Sequence, residues 1–220
     1  MVISGIGGQG LITLLQIIAQ SALSEGYEVR TSELHGLSQR GGSVEVHIRF
    51  GNKIYSPMVS AGEANLILGL EMQEALKAGY YSNHKTNFLI NQFIQPIPLM
   101  KNLTEKEITA NLKKIGDEDK SSSSPTEISL MGAKVKIGTK SPSPFAVARV
   151  SKNINIVPAE KICQEKLGNS VVSGVYLLGL AVFKKLIPLN PNSIKTAIKK
   201  IIPENYLELN LKAFNLAESS

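Results

Sequence analysis

The opening segment, Met1 to Ser24, constrains this chain most. A short apolar run passes directly into Gly5-Ile6-Gly7-Gly8-Gln9-Gly10, after which Leu11, Leu14, Leu15, Ile18, Ala19 and Ala22 recur at helical spacing. Gly26 ends that helix, and Tyr27 to Thr31 reads as a second strand. A strand, a glycine loop, a helix and a strand in this order open a doubly wound α/β sheet. Glycines at the turn let the backbone approach a pyrophosphate, and the helix N-terminus offers free N–H donors. The spacing Gly5-x-Gly7-x-x-Gly10 therefore matches a dinucleotide fingerprint, with Glu33 standing where a ribose-binding acid would. The same small residues also serve plain helix-on-sheet packing, so the motif alone leaves both readings open.

The remaining elements predict a mostly parallel sheet interrupted by an antiparallel hairpin. Val44, Val46, Ile48 and Phe50 alternate with Glu45, His47 and Arg49, and Gly51-Asn52 makes a two-residue turn into Lys53 to Ser56. On this pattern His47 lies on the polar face, solvated or at an interface. Strands follow at 65–69, 87–91 and 154–157, with a helix over 71–80 between the first two. Thr104 and Glu107 form a capping box that opens a helix to about Lys114. Pro158 starts a helix ending at Gly168, residues 170–184 form a buried helix, Asn192 or Ser193 caps the next, and 206–217 is the last. Between 116 and 150 the composition turns to Lys, Ser, Asp and Gly, which predicts a flexible insertion with a small hairpin in an otherwise single domain over 1–220.

Composition narrows the function classes. With 43% apolar and 19% charged residues the chain builds a globular core, and 24 basic against 18 acidic residues gives a modest net +6. No aromatic interleaving accompanies that charge, so no nucleic-acid partner is expected. The single cysteine, Cys163, rules out an internal disulfide and a cysteine-ligated Fe–S cluster built by this chain alone, and it points to a reducing, cytoplasmic setting. Cys163 itself falls on a helix and is expected buried and inert. The first 24 residues carry no charge, yet glycines interrupt them and no basic start precedes them, so neither a signal peptide nor a membrane span is expected. Glu71 and Glu74 stand three apart on one helix, a spacing that does not by itself make an acid–base pair.

The more specific block is Ser32-Glu33-Leu34-His35-Gly36-Leu37-Ser38-Gln39-Arg40-Gly41-Gly42-Ser43, polar and glycine-rich, between a strand end and the hairpin. Loops at the carboxyl ends of parallel strands converge on the ligand crevice, so this loop and the glycine loop emerge together. Arg40 can fork onto a phosphate or carboxylate, with Ser38 and Gln39 as neutral donors. His35 is a candidate through its neighbours alone.

Together, Gly5 to Gly10, Glu33 to Val44 and Tyr55-Ser56-Pro57 resemble the gamma-type subunits of 2-oxoacid:ferredoxin oxidoreductases, most of all the indolepyruvate type. Glu71 with Glu74, Leu89-Ile90-Asn91, Leu167-Gly168-Asn169, Leu177-Leu178-Gly179 and Asn210 to Phe214 continue the likeness in order. Departures are the 116–150 insertion, Asn65 in place of an aspartate, and Ser173 in place of an asparagine. The resemblance implies a fold like domain III of pyruvate ferredoxin oxidoreductase and a role as an accessory subunit. Thiamine diphosphate, magnesium and Fe–S clusters are then expected on a large partner subunit, with ferredoxin reached through the complex and no cofactor held by this chain alone. Coenzyme A is the anion that Gly5, Gly7, Gly8, Gln9, Gly10, His35, Ser38, Gln39, Arg40, Gly41 and Gly42 would face, unless they face the partner. The alternatives are a free-standing NAD- or FAD-binding oxidoreductase, a gamma subunit for pyruvate or branched-chain 2-oxoacids, and an orphan regulatory protein.

Overall fold

The fold is known from a computed structural model that describes residues 1–36, 41–96, 102–114, 128–130, 133–135 and 153–220. Strand β1 (Val2–Ile6) is almost wholly buried and runs into helix α1 (Leu11–Ser24), which turns Leu11, Leu14, Leu15, Ile17, Ile18 and Ala22 toward the sheet. Helix α1 ends before Gly26, whose φ of 85° reverses the chain into β2 (Glu28–His35). The sheet has the order β2-β3-β1-β4-β5-β8, where β3 is Ser43–Gly51, β4 Leu66–Gly69, β5 Asn87–Asn91 and β8 Asn153–Val157. Strands β1, β4, β5 and β8 are mutually parallel, and β3 is antiparallel to both β1 and β2.

This corrects the hairpin. The partner of β3 is β2, in register from Glu28 opposite Gly51 to His35 opposite Val44, whereas Lys53 to Ser56 forms no strand. Four residues ending before Pro57, which has no N–H, offer a short ladder, and the longer β2 outcompetes them. The 53–58 segment instead crosses the sheet face, where the Arg49 guanidinium donates to the carbonyls of Ser56 (3.4 Å) and Met58 (3.2 Å). A second consequence is that β1 and β2 run the same way but are separated by β3.

Helices cover both faces, as a doubly wound sheet requires. On one side lie α1, α4 (Ala159–Leu167), α5 (Ser173–Phe183), α6 (Pro191–Ile201) and α7 (Glu204–Leu216); on the other lie α2 (Met72–Ala78) and α3 (Glu105–Lys114). Helix α5 is apolar on every side because it is sandwiched, with Gly174 through Val182 all buried. Cys163 is buried on α4, and burial pushes its thiol up to about 11, which makes it a poor nucleophile.

Most other sequence expectations hold, with shifted ends. The capping box forms: the Thr104 N–H donates to Glu107 Oε2 (2.8 Å), and the Glu107 N–H donates back to Thr104 Oγ1 (3.3 Å). Helix α4 terminates at Gly168 with φ 71°. Helix α6 is capped by Asn190, not Asn192 or Ser193, because Pro191 fixes the first helical position and Asn190 Oδ1 accepts the Asn192 N–H at 2.8 Å. Of the predicted insertion, an antiparallel pair, β6 (Ile128–Leu130) and β7 (Ala133–Val135), is described; the rest of 116–150 lies outside the described residues. No helix among the described residues is long and apolar enough to cross a membrane.

Candidate functional site at the carboxyl edge of the sheet

The carboxyl ends of β1, β4, β5 and β8 are tied together by two amides. Gln9 folds back so that its Oε1 accepts the Ile6 N–H (2.9 Å) while its Nε2 donates to the Leu70 carbonyl (3.2 Å). This explains Gly5, since a Cβ there would sit 2.6 Å from Gln9 Oε1. Asn91, at the end of β5, donates to the same Leu70 carbonyl (3.2 Å) and to Glu160 Oε1 (3.1 Å), and its Oδ1 accepts the Ala159 N–H (3.2 Å). The site floor is therefore rigid, built from backbone and amide groups.

Above that floor the two glycine-rich segments meet. The Gly7 N–H donates to the Gly42 carbonyl (2.9 Å), and Gly36 N–H donates to the Ser43 carbonyl (2.9 Å), closing the loop between β2 and β3 beside the glycine loop. Gly8, Gly10 and Gly41 have φ of 101°, 78° and 66°, and among the described residues nothing stands within 4 Å of where their Cβ atoms would be. The glycines thus leave bare backbone facing open space, at the start of a helix that no side chain caps. Of the candidate residues, Gly5, Gly7, Gly8, Gln9 and Gly10 lie on one segment, and Gly41 and Gly42 meet it through the Gly7–Gly42 bond. Ser38, Gln39 and Arg40 lie outside the described residues.

Two predicted residues behave differently. His35 stands at the end of β2, half exposed, with its Nε2 3.3 Å from Glu33 Oε2. Glu33, the candidate ribose acid, is opposite Val46 of β3, which in turn is opposite Ile3 of β1. It is two strand spacings from β1, about 10 Å, where a dinucleotide site needs the acid one spacing away. The inserted strand β3 removes the acid from the glycine loop. That counts against the free-standing dinucleotide reading.

Two carboxylates complete the edge. Glu71 caps α2: its Oε2 accepts the Glu74 N–H (2.7 Å) and its Oε1 accepts the Gln95 N–H (3.1 Å), at only 1% exposure. Burial raises its pKa, against the pull of those N–H donors. Glu74, 8% exposed, accepts from the Ser43 hydroxyl (2.6 Å) on Oε2 and from Lys77 Nζ (2.7 Å) on Oε1. Each carboxylate is thus engaged by donors of its own: Glu71 by backbone N–H groups, Glu74 by Ser43 and Lys77. Their capping and anchoring roles have one sequence signal, acids placed directly after a strand end at the start of a helix.

Glu160 supplies a prediction. Burial raises its pKa above the ordinary 4.5, with the Asn91 bond opposing. A carboxyl raised on folding contributes stability that is full below its unfolded value and lost as pH rises through its folded value. The Glu160→Gln variant should therefore gain on the parent as pH climbs from 4.5 toward 7, read from urea midpoints at several pH values. Parallel profiles would remove Glu160 from this account.

The comparisons with known proteins agree on one family. A family model, pyruvate ferredoxin/flavodoxin oxidoreductase, matches residues 1–219. The chain belongs to this family. A relative, indolepyruvate oxidoreductase subunit IorB of Thermococcus kodakarensis, is 32% identical over 219 residues, covering 98% of this chain and 92% of the relative. The fold is shared with pyruvate oxidoreductase subunit PORC of Thermotoga maritima (TM-score 0.62, 13% identity, covering 100% of this chain and 94% of that one). It is shared too with a keto/oxoacid ferredoxin oxidoreductase gamma subunit of Geobacter sulfurreducens (TM-score 0.56, 19% identity, covering 99% and 95%).

Proposed function

We propose that this chain is the accessory, IorB-type subunit of a ferredoxin-dependent indolepyruvate oxidoreductase in a reducing, cytoplasmic setting. The observation that carries the reading is the 32% identity to an indolepyruvate oxidoreductase subunit along 98% of the chain. In such a complex a 2-oxoacid loses carbon dioxide, its electrons pass to ferredoxin and its acyl group passes to coenzyme A. Thiamine diphosphate, magnesium and Fe–S clusters belong on a large partner subunit, because one buried cysteine cannot hold a cluster. This chain contributes a rigid, glycine-lined edge at the uncapped N-terminus of α1, and its sequence carries Arg40 directly before Gly41-Gly42. That chemistry suits the phosphates of coenzyme A at the interface with the partner.

Co-expression with the large subunit, followed by assay of ferredoxin reduction on indolepyruvate, pyruvate and 2-oxoglutarate, tests the subunit reading. An active complex preferring indolepyruvate is expected. A stable partner-free chain that binds a nicotinamide or flavin nucleotide would overturn it. Arg40→Ala tests the coenzyme A role: loss of a charge-assisted bond predicts about a tenfold rise in the Michaelis constant for coenzyme A. Unchanged constants for coenzyme A and 2-oxoacid in an intact complex would sink that role.

A further inference from the structure

We propose that Glu74 is a positioning residue, which fixes the second glycine segment onto the first through Ser43. This rests on the reading above that the glycine-lined edge meets coenzyme A or the partner. The chain of contacts is continuous. The Gln95 N–H is held by Glu71, Glu71 holds the Glu74 N–H, and Glu74 Oε2 takes the Ser43 hydroxyl at 2.6 Å. Ser43 directly follows Gly42, whose carbonyl takes the Gly7 N–H at 2.9 Å. At the end of this segment Gly41 and Gly42 have no side chains to fix its place, and free glycine backbone carries high conformational entropy. Its anchor must come from outside.

The energetics favour positioning over plain stability as the purpose. Two carboxylates lie within one turn at 1% and 8% exposure, and one half-exposed lysine, Lys77, stands beside them. Burying acids with so little positive charge costs free energy that an apolar pair would not. In return the Ser43 hydroxyl gains an ionic acceptor, which makes a short and strongly directed bond. Ser43 also opens β3, opposite Ile6 of β1, so the same bond sets where the β2–β3 loop leaves the sheet.

The test uses Ser43→Ala, Glu74→Gln, their double variant and Ser43→Thr, which keeps the hydroxyl. Hydrogen exchange on the full chain should quicken at peptides holding Gly7 and Gly42–Ser43, about tenfold in Ser43→Ala, where the bond to a charged acceptor is lost, and less in Glu74→Gln, whose amide oxygen still accepts the hydroxyl without the charge, with other peptides unchanged. The double variant should match Ser43→Ala at these peptides, because Glu74 acts on them through Ser43 alone, and Ser43→Thr should match the parent. Unchanged exchange at Gly7 in folded Ser43→Ala overturns the proposal, as does additivity of the two substitutions. If Glu74→Gln unfolds the chain, Ser43→Ala and Ser43→Thr still decide. In the reconstituted complex, the Michaelis constant for coenzyme A should rise about tenfold in Ser43→Ala at little-changed kcat. Local loosening without that rise supports the positioning role and removes the coenzyme A reading.

Discussion

Gly179→Ala should lower the stability of the chain by about 2 kcal/mol, although alanine is the better helix former. The helix preference alone favours alanine by about 1 kcal/mol. Against it stands a collision: a Cβ at 179 would lie 2.7 Å from the Ala217 Cβ and 2.8 Å from the Phe214 carbonyl oxygen. The second of these is α7 backbone, and Phe214 is wholly buried, so α7 must move as a body and open the core on its far side. Gly174, on the same helix, is the control. Its added Cβ would meet Leu14 Cδ1 at 3.3 Å, the far end of a flexible side chain that can give way. Gly174→Ala should be neutral or slightly stabilising in a urea titration that shows Gly179→Ala to be damaging. Equal midpoints for the two variants would mean that α5 and α7 do not approach as closely as described.

The contrast between these glycines also marks what the sequence could carry. An apolar strand, a glycine loop and a 3.6-residue period made β1 and α1 legible, and a long uncharged run marked α5 as a buried helix. No local pattern says that Gly179 faces a helix backbone while Gly174 faces a leucine. Tyr27 to Thr31 reads as a strand, whereas β2 runs on to His35; an edge strand exposed along most of both faces has no alternation to betray its end. Meanwhile Gly51-Asn52 gave a genuine turn signal and pointed to the wrong partner strand. Glu33 follows the second strand as a ribose acid would, and only the sheet order, with β3 between β1 and β2, takes it away from the glycine loop. The glycine segments of the candidate site were legible because both lie at strand ends. Their anchor, Glu74 on Ser43, joins residues 31 apart and has no local signature.

His47→Ala should be the most costly of the histidine substitutions, at about 3 kcal/mol, whereas His35→Ala should stay within about 0.5 kcal/mol. Alternation along β3 placed His47 on a polar face, solvated or at an interface, and the structure corrects this: the residue is 0% exposed. The face it shares with Glu45 and Arg49 is roofed by the segment around Val59 and by Tyr81, elements brought in from later in the chain. Nδ1 accepts the Val59 N–H (3.1 Å), so the proton of the neutral ring sits on Nε2, which donates to Glu45 Oε1 (2.8 Å). Tyr81 donates its hydroxyl to the same oxygen (2.8 Å) and packs its ring edge-on against the imidazole, with centroids 4.8 Å apart. Burial, with that bond to Glu45, drives the Tyr81 hydroxyl pKa upward and keeps it a donor. Removing the imidazole strands the buried Val59 N–H, at about 1–3 kcal/mol, and leaves a ring-sized cavity beneath Tyr81. His35 has only a surface pairing with Glu33 to lose. Urea titration of the two alanine variants measures both. A His47→Ala loss as small as that of His35→Ala would show that the Val59 segment does not close over β3, and the crossing that replaced the predicted hairpin would fall with it.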